Sequence, residues 1–423
     1  MQRHKDVNRR EFVSQTGRGA LVLSAAATLS PWAKILGAND RIRLGVIGPG
    51  GRGRVLIRAA QAAPNVEITA VCDVFPENLE KAAQLTGGKA QTFTDYKELL
   101  DSNQIDGVMI GTPDHWHMPM IIDGVRAGKD VYCEKPMTHR LEEGPKIIQA
   151  VKKSGRVVQI GTQHRSWDHF IRAREIVASG RLGKITLATT WWYQNASQGY
   201  RQIKEQAASG TPEGLDWESW LGSAPRRPFD MLRFRQWRHF WDYGGGGLTD
   251  LLTHLIDTVQ WYMGESVPVS AMALGGKYEL KDWDCPDTVT AAFEYAGDFS
   301  VNYSQTYITR HDRHSIALRG TQATLVINRT QLAVYEEGSR NQPRPLYPGE
   351  IEQRGGRAFL IMKSVQDGTY AHMRNFLECM RSRKQPNATV TAGHQGVLGP
   401  HLANISYREG RKVRWDAAQQ QPA

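Results

Sequence analysis

From Arg41 to Gly161 the chain alternates between two spacings of apolar residues. Short β-rich apolar runs fall near 42–47, 66–72, 89–93, 105–110, 130–133 and 156–160, and stretches with apolar residues at helical spacing lie between them, around 51–63, 76–86, 95–101, 117–128 and 140–154. Continuous apolar strands alternating with helices predict a doubly wound parallel α/β sheet of the Rossmann kind. After Gly161 the rhythm changes. A helix near 168–179 leads to an alternating strand at 185–193, a Trp- and Arg-rich irregular region over 195–243, a glycine run at 244–247 and a helix over 248–263. β-rich runs follow at 267–274, 287–295, 299–307, 314–318 and 323–335. This second part predicts an α+β domain with an open, mostly antiparallel sheet. The expected division is a leader over 1–38, a Rossmann domain over 39–163, an α+β substrate and oligomerisation domain over 164–415 and a disordered tail over 416–423.

The first apolar run passes straight into glycines at 48, 50 and 53. A Gly-x-Gly-x-x-Gly match carries weight only with a strand before it, a helix after it and an acid about 20 residues on. All three are present, the acid being Asp73. Gly48 and Gly50 are expected to make the tight turn and let the backbone approach a pyrophosphate, with Gly51 and Arg52 beside them, and Gly53 to let the helix pack closely. Phosphate charge then meets the helix N-terminus. Asp73 is expected to accept hydrogen bonds from the adenine ribose; its carboxylate repels a 2′-phosphate, so NAD is favoured over NADP.

The residues before the first strand belong to something else. Asn8-Arg9-Arg10-Glu11-Phe12-Val13 resembles the twin-arginine export signal, followed by an apolar stretch from Ala20 to Leu29 and small residues around Ala38. That stretch is too short for a stable membrane span. The resemblance implies engagement by the twin-arginine export machinery and a periplasmic or extracytoplasmic location. The net charge of +10 shrinks once the leader is set aside: residues 1–38 hold six Lys or Arg and two acids, net +4, leaving +6 for the rest. No basic-aromatic motif accompanies that charge, so nucleic acid is not an expected partner. Cys72, Cys133, Cys285 and Cys379 have no metal-ligand spacing, and no structural disulfide is expected.

In an open parallel sheet, ligands bind beyond the carboxyl ends of the strands. The fourth run ends in Gly111-Thr112-Pro113-Asp114-His115-Trp116-His117 and the fifth in Cys133-Glu134-Lys135-Pro136. Here the sequence resembles the glucose-fructose oxidoreductase, inositol dehydrogenase and rhizopine catabolism superfamily, which is marked by a Thr-Pro loop followed by His and by a Glu-Lys-Pro tripeptide. A later glycine-rich segment with Asp-x-x-x-His is the third mark, present as Gly245-Gly246-Gly247-Leu248-Thr249-Asp250-Leu251-Leu252-Thr253-His254. The resemblance is strong from Arg41 to about Gln163 and looser beyond. It implies homo-oligomers, dimers or tetramers, formed through the open sheet face.

Oxidising an alcohol to a carbonyl requires a hydride acceptor and a base for the hydroxyl proton. Lys135 suits stabilisation of alkoxide character at the reacting oxygen, and His254 suits proton transfer. Asp250 and His254, four apart on the predicted helix, share a face, and Asp250 is expected to orient substrate or tune the Lys and His. The family resemblance implies the same roles for the matching three residues. Thr112, Pro113, His117 and Glu134 are expected on the cofactor side, and Lys135, besides its catalytic role, is expected near the nicotinamide ring as well. His164, Arg165, Trp191 and Trp237 are expected to contact substrate, the tryptophans by offering faces for sugar rings. Asp114, His115 and His117 lack a third clustered ligand, so no metal is expected. These expectations describe an exported NAD-dependent oxidoreductase acting on a sugar or polyol hydroxyl. Two rivals remain open: a redox-neutral NAD-dependent glycosidase that transiently oxidises a ring hydroxyl, and a non-catalytic sugar-binding protein on the same fold.

Overall fold

All six β-rich runs of the first part become strands of one parallel sheet. The computed structural model describes residues 41–206, 210–264, 267–337 and 360–423; the leader expected over 1–38 lies outside the described residues. Strands β1 (Ile42–Ile47), β2 (Val66–Cys72), β3 (Gln91–Phe93), β4 (Gly107–Ile110), β5 (Asp130–Cys133) and β6 (Val158–Ile160) lie in the order β3-β2-β1-β4-β5-β6. The order reverses between β1 and β4, so a crevice opens beyond their carboxyl ends. Helices α1 (Gly51–Gln61), α2 (Pro76–Leu85), α3 (Tyr96–Asp101), α4 (His117–Arg126) and α5 (Glu143–Ser154) make the crossovers. β4 and β5 are buried along their whole length, as a sheet covered on both faces requires, and the one charged residue, Asp130 at the start of β5, is paired with Arg383.

The second part is a ten-stranded sheet, mostly antiparallel as expected. After α6 (Asp168–Ala178) come β7 (Ile185–Tyr193), α7 (Ser197–Gln206), α8 (Trp217–Leu221), α9 (Met231–Arg235) and α10 (Thr253–Met263). The strands are completed by β8 (Ser270–Gly276), β9 (Thr288–Tyr295), β10 (Phe299–Thr306), β11 (His314–Gly320), β12 (Ala323–Ile327), β13 (Gln331–Glu336), β14 (Leu360–Lys363), β15 (Val413–Asp416) and β16 (Gln421–Pro422). β7 pairs parallel with β10 and antiparallel with β11, so the sheet is mixed at its centre. Its inner face packs on α10 and on α12 (Val390–Glu409), which bury Ile256, Val259, Leu398 and Leu402 against Val301, Phe293 and Ala273.

Four features depart from the sequence expectation. The region 195–243 is not wholly irregular: Asp216 and Asp230 accept from the amides of Ser219 and Arg233 and start α8 and α9. The run 323–335 divides into β12 and β13 because Asn328 Oδ1 accepts from the amides of Thr330 and Gln331 and closes a hairpin turn. The segment 416–423, expected as a disordered tail, folds back, with Asp416 Oδ1 accepting from the amides of Ala418 and Gln419 and β16 pairing on β15. Helix α11 (Gly368–Ser382) crosses the expected division at 163/164, placing Met373, Phe376, Leu377 and Met380 in the core of the Rossmann sheet beside Leu44 and Tyr132. All four cysteines are buried thiols. Among the described residues no helix is long and apolar enough to cross a membrane.

Candidate active site

The glycine turn after β1 is shaped by two close approaches and one open space. Gly48 has φ of +73°, and a Cβ there would lie 2.7 Å from Thr112 Cγ2 and 2.8 Å from Thr112 N. A Cβ on Gly53 would lie 2.4 Å from the Gly48 carbonyl oxygen, so only glycine lets α1 start so near the strand. A Cβ at Gly51 would meet nothing within 4 Å. That space belongs to a cleft of about 780 Å³ whose walls include Gly48, Gly50, Gly51, Asp73, Thr112 and Trp237. No side chain caps α1, so first-turn amides are available to an anion. Asp73 stands on the cleft wall, accepting from Phe75 N at 3.0 Å and Asn78 Nδ2 at 2.9 Å, and burial pushes its carboxyl up to about 6. An open backbone cradle, uncapped amides and a carboxylate at the end of β2 are the donor set a dinucleotide requires.

Arg52 and Glu134 are joined to each other. Arg52 Nε donates to Glu134 Oε1 at 2.7 Å and Nη1 to Thr369 Oγ1 at 3.3 Å. This ties α1 to the end of β5 and to the start of α11. His117, expected on the cofactor side, is turned away from the cleft: Nδ1 lies 2.7 Å from the Pro136 carbonyl oxygen and Nε2 3.1 Å from that of Thr112. It clasps the loops after β4 and β5 and positions them. Asp114 and His115 are both buried, and His115 Nε2 is within 3.3 Å of the Trp220 carbonyl oxygen.

Lys135 and Asp250 meet although they are 115 positions apart. Lys135 Nζ donates to Asp250 Oδ1 at 2.6 Å and to its main-chain oxygen at 2.7 Å. Arg238 Nε lies 3.4 Å from the same Oδ1, and Arg238 also lines the cleft. Burial alone would raise the Asp250 carboxyl, but the two cations overcome it and hold the group at about 2. Asp250 lies in a π-helical turn, Leu248–Leu252, that precedes α10, so the spacing to His254 is not that of a regular α-helix. His254 is 5% exposed, and its Nδ1 has no hydrogen-bond partner among the described residues. Burial, then Lys135 and Arg329, hold its ring neutral, well below the ordinary imidazole value. A neutral imidazole with an unpartnered nitrogen can accept a proton.

The substrate-side candidates separate. His164 is in the cluster: its ring centre lies 5.3 Å from that of His254, its Nδ1 meets Thr258 Oγ1 at 3.1 Å, and burial keeps it neutral. Arg165 is not, because its Nε meets both Asp257 oxygens at 3.0 and 3.1 Å and the pair is almost wholly enclosed. Trp191 points to the other side of the sheet, with Nε1 donating to the Asp312 carbonyl oxygen at 3.2 Å. Its neighbour Trp192 occupies the inner face and stacks on His254 at 5.7 Å and on His314 at 4.3 Å. Strand alternation decides between the two, with Ala188 and Thr190 buried on the same face as Trp192. Trp237 lines the cleft beneath the Arg238 guanidinium, 4.2 Å from the ring centre. Arg238, Arg329 and Thr369 carried no local sequence signal.

Comparison with known proteins bears on the fold that carries this arrangement. Residues 42–162 match the family described as an oxidoreductase family with an NAD-binding Rossmann fold, and residues 171–275 match that family's C-terminal alpha/beta domain. Inositol 2-dehydrogenase of Rubrobacter xylanophilus is 31% identical over 162 residues, 38% of this chain and 46% of the relative. The chain thus spans about half the length of the curated relatives it matches. Among solved structures, the WlbA dehydrogenase of Bordetella pertussis in complex with NADH and UDP-GlcNAcA superposes with a TM-score of 0.66 at 21% identity, over 89% of this chain and 98% of that one. A levoglucosan dehydrogenase in complex with NADH and levoglucosan gives 0.68 at 20% identity, over 88% and 99%. At these identities the superpositions speak for the fold, while the two family domains, matched in order over more than half of the chain, speak for descent. With its NAD-binding Rossmann domain, the chain belongs to the glucose-fructose oxidoreductase, inositol dehydrogenase and rhizopine catabolism (Gfo/Idh/MocA) family of oxidoreductases.

Proposed function

We propose that the protein is an exported oxidoreductase that uses NAD in preference to NADP and transfers hydride between the nicotinamide and a hydroxyl-bearing carbon of a sugar or polyol. The observation that carries this reading is the clamp of Lys135 on Asp250 at the end of β5, beside a neutral His254. The turn from Gly48 to Gly53 and the first amides of α1 would hold the pyrophosphate, Asp73 the adenine ribose, and Thr112, Pro113 and Glu134 the nicotinamide side. Bound NAD would supply the hydride acceptor. Asp73 is ionised at neutral pH, being held at about 6, and so disfavours a 2′-phosphate. The Lys135 ammonium, fixed by two oxygens of Asp250, is the donor for a developing alkoxide. His254 is the acceptor for the hydroxyl proton, and its stacking on Trp192 fixes the ring plane. His164 and Trp192 pack against the His254 ring on the sheet side.

The substrate class is supported by the names of relatives and fold neighbours, which include inositol 2-dehydrogenases and a levoglucosan dehydrogenase. The twin-arginine motif supports export to the periplasm or beyond, where no free NAD pool exists and a retained cofactor must be recycled by a second substrate. Exposed Met272 and Leu274 support a homo-oligomer, dimer or tetramer, joined through that sheet. The test is NADH formation by purified protein against a panel of sugars and polyols, with Lys135→Met and His254→Asn as controls. Turnover by wild type with a loss of about 100-fold or more in either variant is expected. Full turnover in both variants would refute the assigned roles, and hydrolysis of a nitrophenyl glycoside with no net NADH would favour the redox-neutral glycosidase.

A further inference from the structure

Arg329 is the cation beside the site that the proposed chemistry does not use. It sits in the β12–β13 turn, which Asn328 fixes by accepting from Thr330 N at 2.8 Å, Thr330 Oγ1 at 2.7 Å and Gln331 N at 3.1 Å. Its Nε donates to His164 Nε2 at 3.3 Å, and its guanidinium lies 4.8 Å from the centre of the Trp192 ring that stacks on His254. The two Nη groups have no hydrogen-bond or ion-pair partner among the described residues. Arg52 comes from the Rossmann side: Nε and Nη1 are engaged by Glu134 and Thr369, and Nη2 is buried with no hydrogen-bond partner among the described residues. After burial, Arg52 is the strongest influence on Arg329, and together they bring its guanidinium down to about 10.

The carboxylates acting on Arg329 are Asp367, Asp250 and Glu134, and each is engaged elsewhere. Glu134 holds Arg52, Asp250 holds Lys135 and Arg238, and Asp367 caps α11 by accepting from Thr369 N at 2.7 Å. Arg329, Arg52, Lys135 and Arg238 therefore face three engaged carboxylates and the buried Asp114, whose carboxyl burial raises well above its ordinary value and so toward the neutral form, and an oxidised nicotinamide adds another positive charge. Arg329 is half-buried, and its fork has no counterion among the described residues, which leaves the Nη edge open to an anion. Its planar fork of N–H donors fits a carboxylate with two parallel hydrogen bonds.

We propose that the Nη edge of Arg329, with Arg52 Nη2, forms a carboxylate subsite beside Lys135, Asp250 and His254, so that the substrate is an acidic sugar, a uronic or aldonic acid, rather than a neutral one. The inference rests on reading the site as that of a sugar oxidoreductase. The carboxylate anchors one end of the sugar while Lys135 and His254 address a hydroxyl at another carbon.

The test is calorimetric titration of the full, NAD-loaded protein with methyl β-D-glucuronide against methyl β-D-glucoside, and with galacturonate and gluconate against galactose and glucitol. At least one acid is expected to bind about 10- to 100-fold more tightly than its neutral counterpart. Added salt should narrow the gap. Arg329→Gln should abolish the preference, and Arg329→Lys, which keeps the charge without the fork, should restore part of it. Should Arg329→Gln fail to fold, the preference of the wild type decides alone. Equal affinity within every pair, no binding of any acid, or an undiminished preference in a folded Arg329→Gln would overturn the proposal. NADH formation separates the two readings. An acid that binds preferentially without NADH formation leaves the subsite standing and removes the oxidoreductase; oxidation of neutral sugars without any acid preference does the reverse.

Discussion

Replacing Asp250 with Asn removes a charge from the site while keeping its shape. The Asp250 carboxyl is held at about 2 against an ordinary 3.8, which is worth about 2 kcal/mol at about 1.4 kcal/mol for each tenfold change in proton affinity. Its side chain is only 13% exposed, so solvent screening removes little of this. The Lys135 ammonium, 11% exposed, would lose its charged partner but keep the main-chain oxygen of residue 250 at 2.7 Å. A buried pair broken from one side costs about 3–5 kcal/mol, so Asp250→Asn is expected to lie between about 2 and 4 kcal/mol below wild type at pH 7. A depressed carboxyl stabilises the fold fully above its unfolded value and loses that contribution as pH falls toward 2. Wild type should therefore approach the variant between pH 4 and 2. Denaturant midpoints across this range measure the gap, and kcat should fall by about tenfold or more, with NAD affinity retained because Asp250 lies outside the cleft walls. A variant as stable as wild type at pH 7 with the same kcat would refute the account of the pair.

Other consequences follow from the same geometry. Gly53→Ala places a Cβ 2.4 Å from the Gly48 carbonyl oxygen, and NAD affinity by calorimetry should fall by about tenfold or more; unchanged affinity would contradict the cradle. Burial holds His115 and His239 at about 3 and His139 and His372 at about 4, so below pH 6.5 the unfolded chain takes up protons that the native protein does not. Stability present above pH 6.5 should then drain away as pH falls, by up to about 1.4 kcal/mol per pH unit for each such histidine. A denaturant midpoint that stays flat from pH 7 to 5 would speak against it. Asp257→Asn should cost about 3–5 kcal/mol by stranding Arg165, with KM unchanged in whatever protein folds, because that pair does not reach the cleft.

The Rossmann half was legible because its signals are local. Each strand lies in a short β-rich run, each crossover has helical spacing, and the glycine turn, Asp73 and the strand-end residues lie within one unit of sequence. Lys135, Asp250 and His254 could be named because glycine-rich and charged motifs flank them, although their contact at a sequence distance of 115 could not be read. Arg329 and Thr369 could not be found that way: they reach the site across separations of 165 from His164 and 317 from Arg52, from a hairpin turn and a helix start that look ordinary. Two adjacent tryptophans, Trp191 and Trp192, leave the parity of their strand open until its neighbours are known, and it is Trp192 that stacks on His254. Arg165 looked available because nothing near it in sequence announced that Asp257 would enclose it. His117 was placed in the right loop but on the wrong side, since a ring that bridges two carbonyl oxygens has no sequence signature.

The central claim is that the Lys135, Asp250 and His254 cluster works with a bound NAD on a sugar hydroxyl. Its most direct test is to follow the absorbance of reduced nicotinamide while purified protein, with NAD added, meets neutral and acidic sugars and polyols in parallel with Lys135→Met. The account predicts NADH formation on at least one sugar or polyol by wild type, with loss of about 100-fold or more in the variant. NADH formation unaffected by Lys135→Met, or none across the panel by a wild type shown to bind NAD, would contradict it.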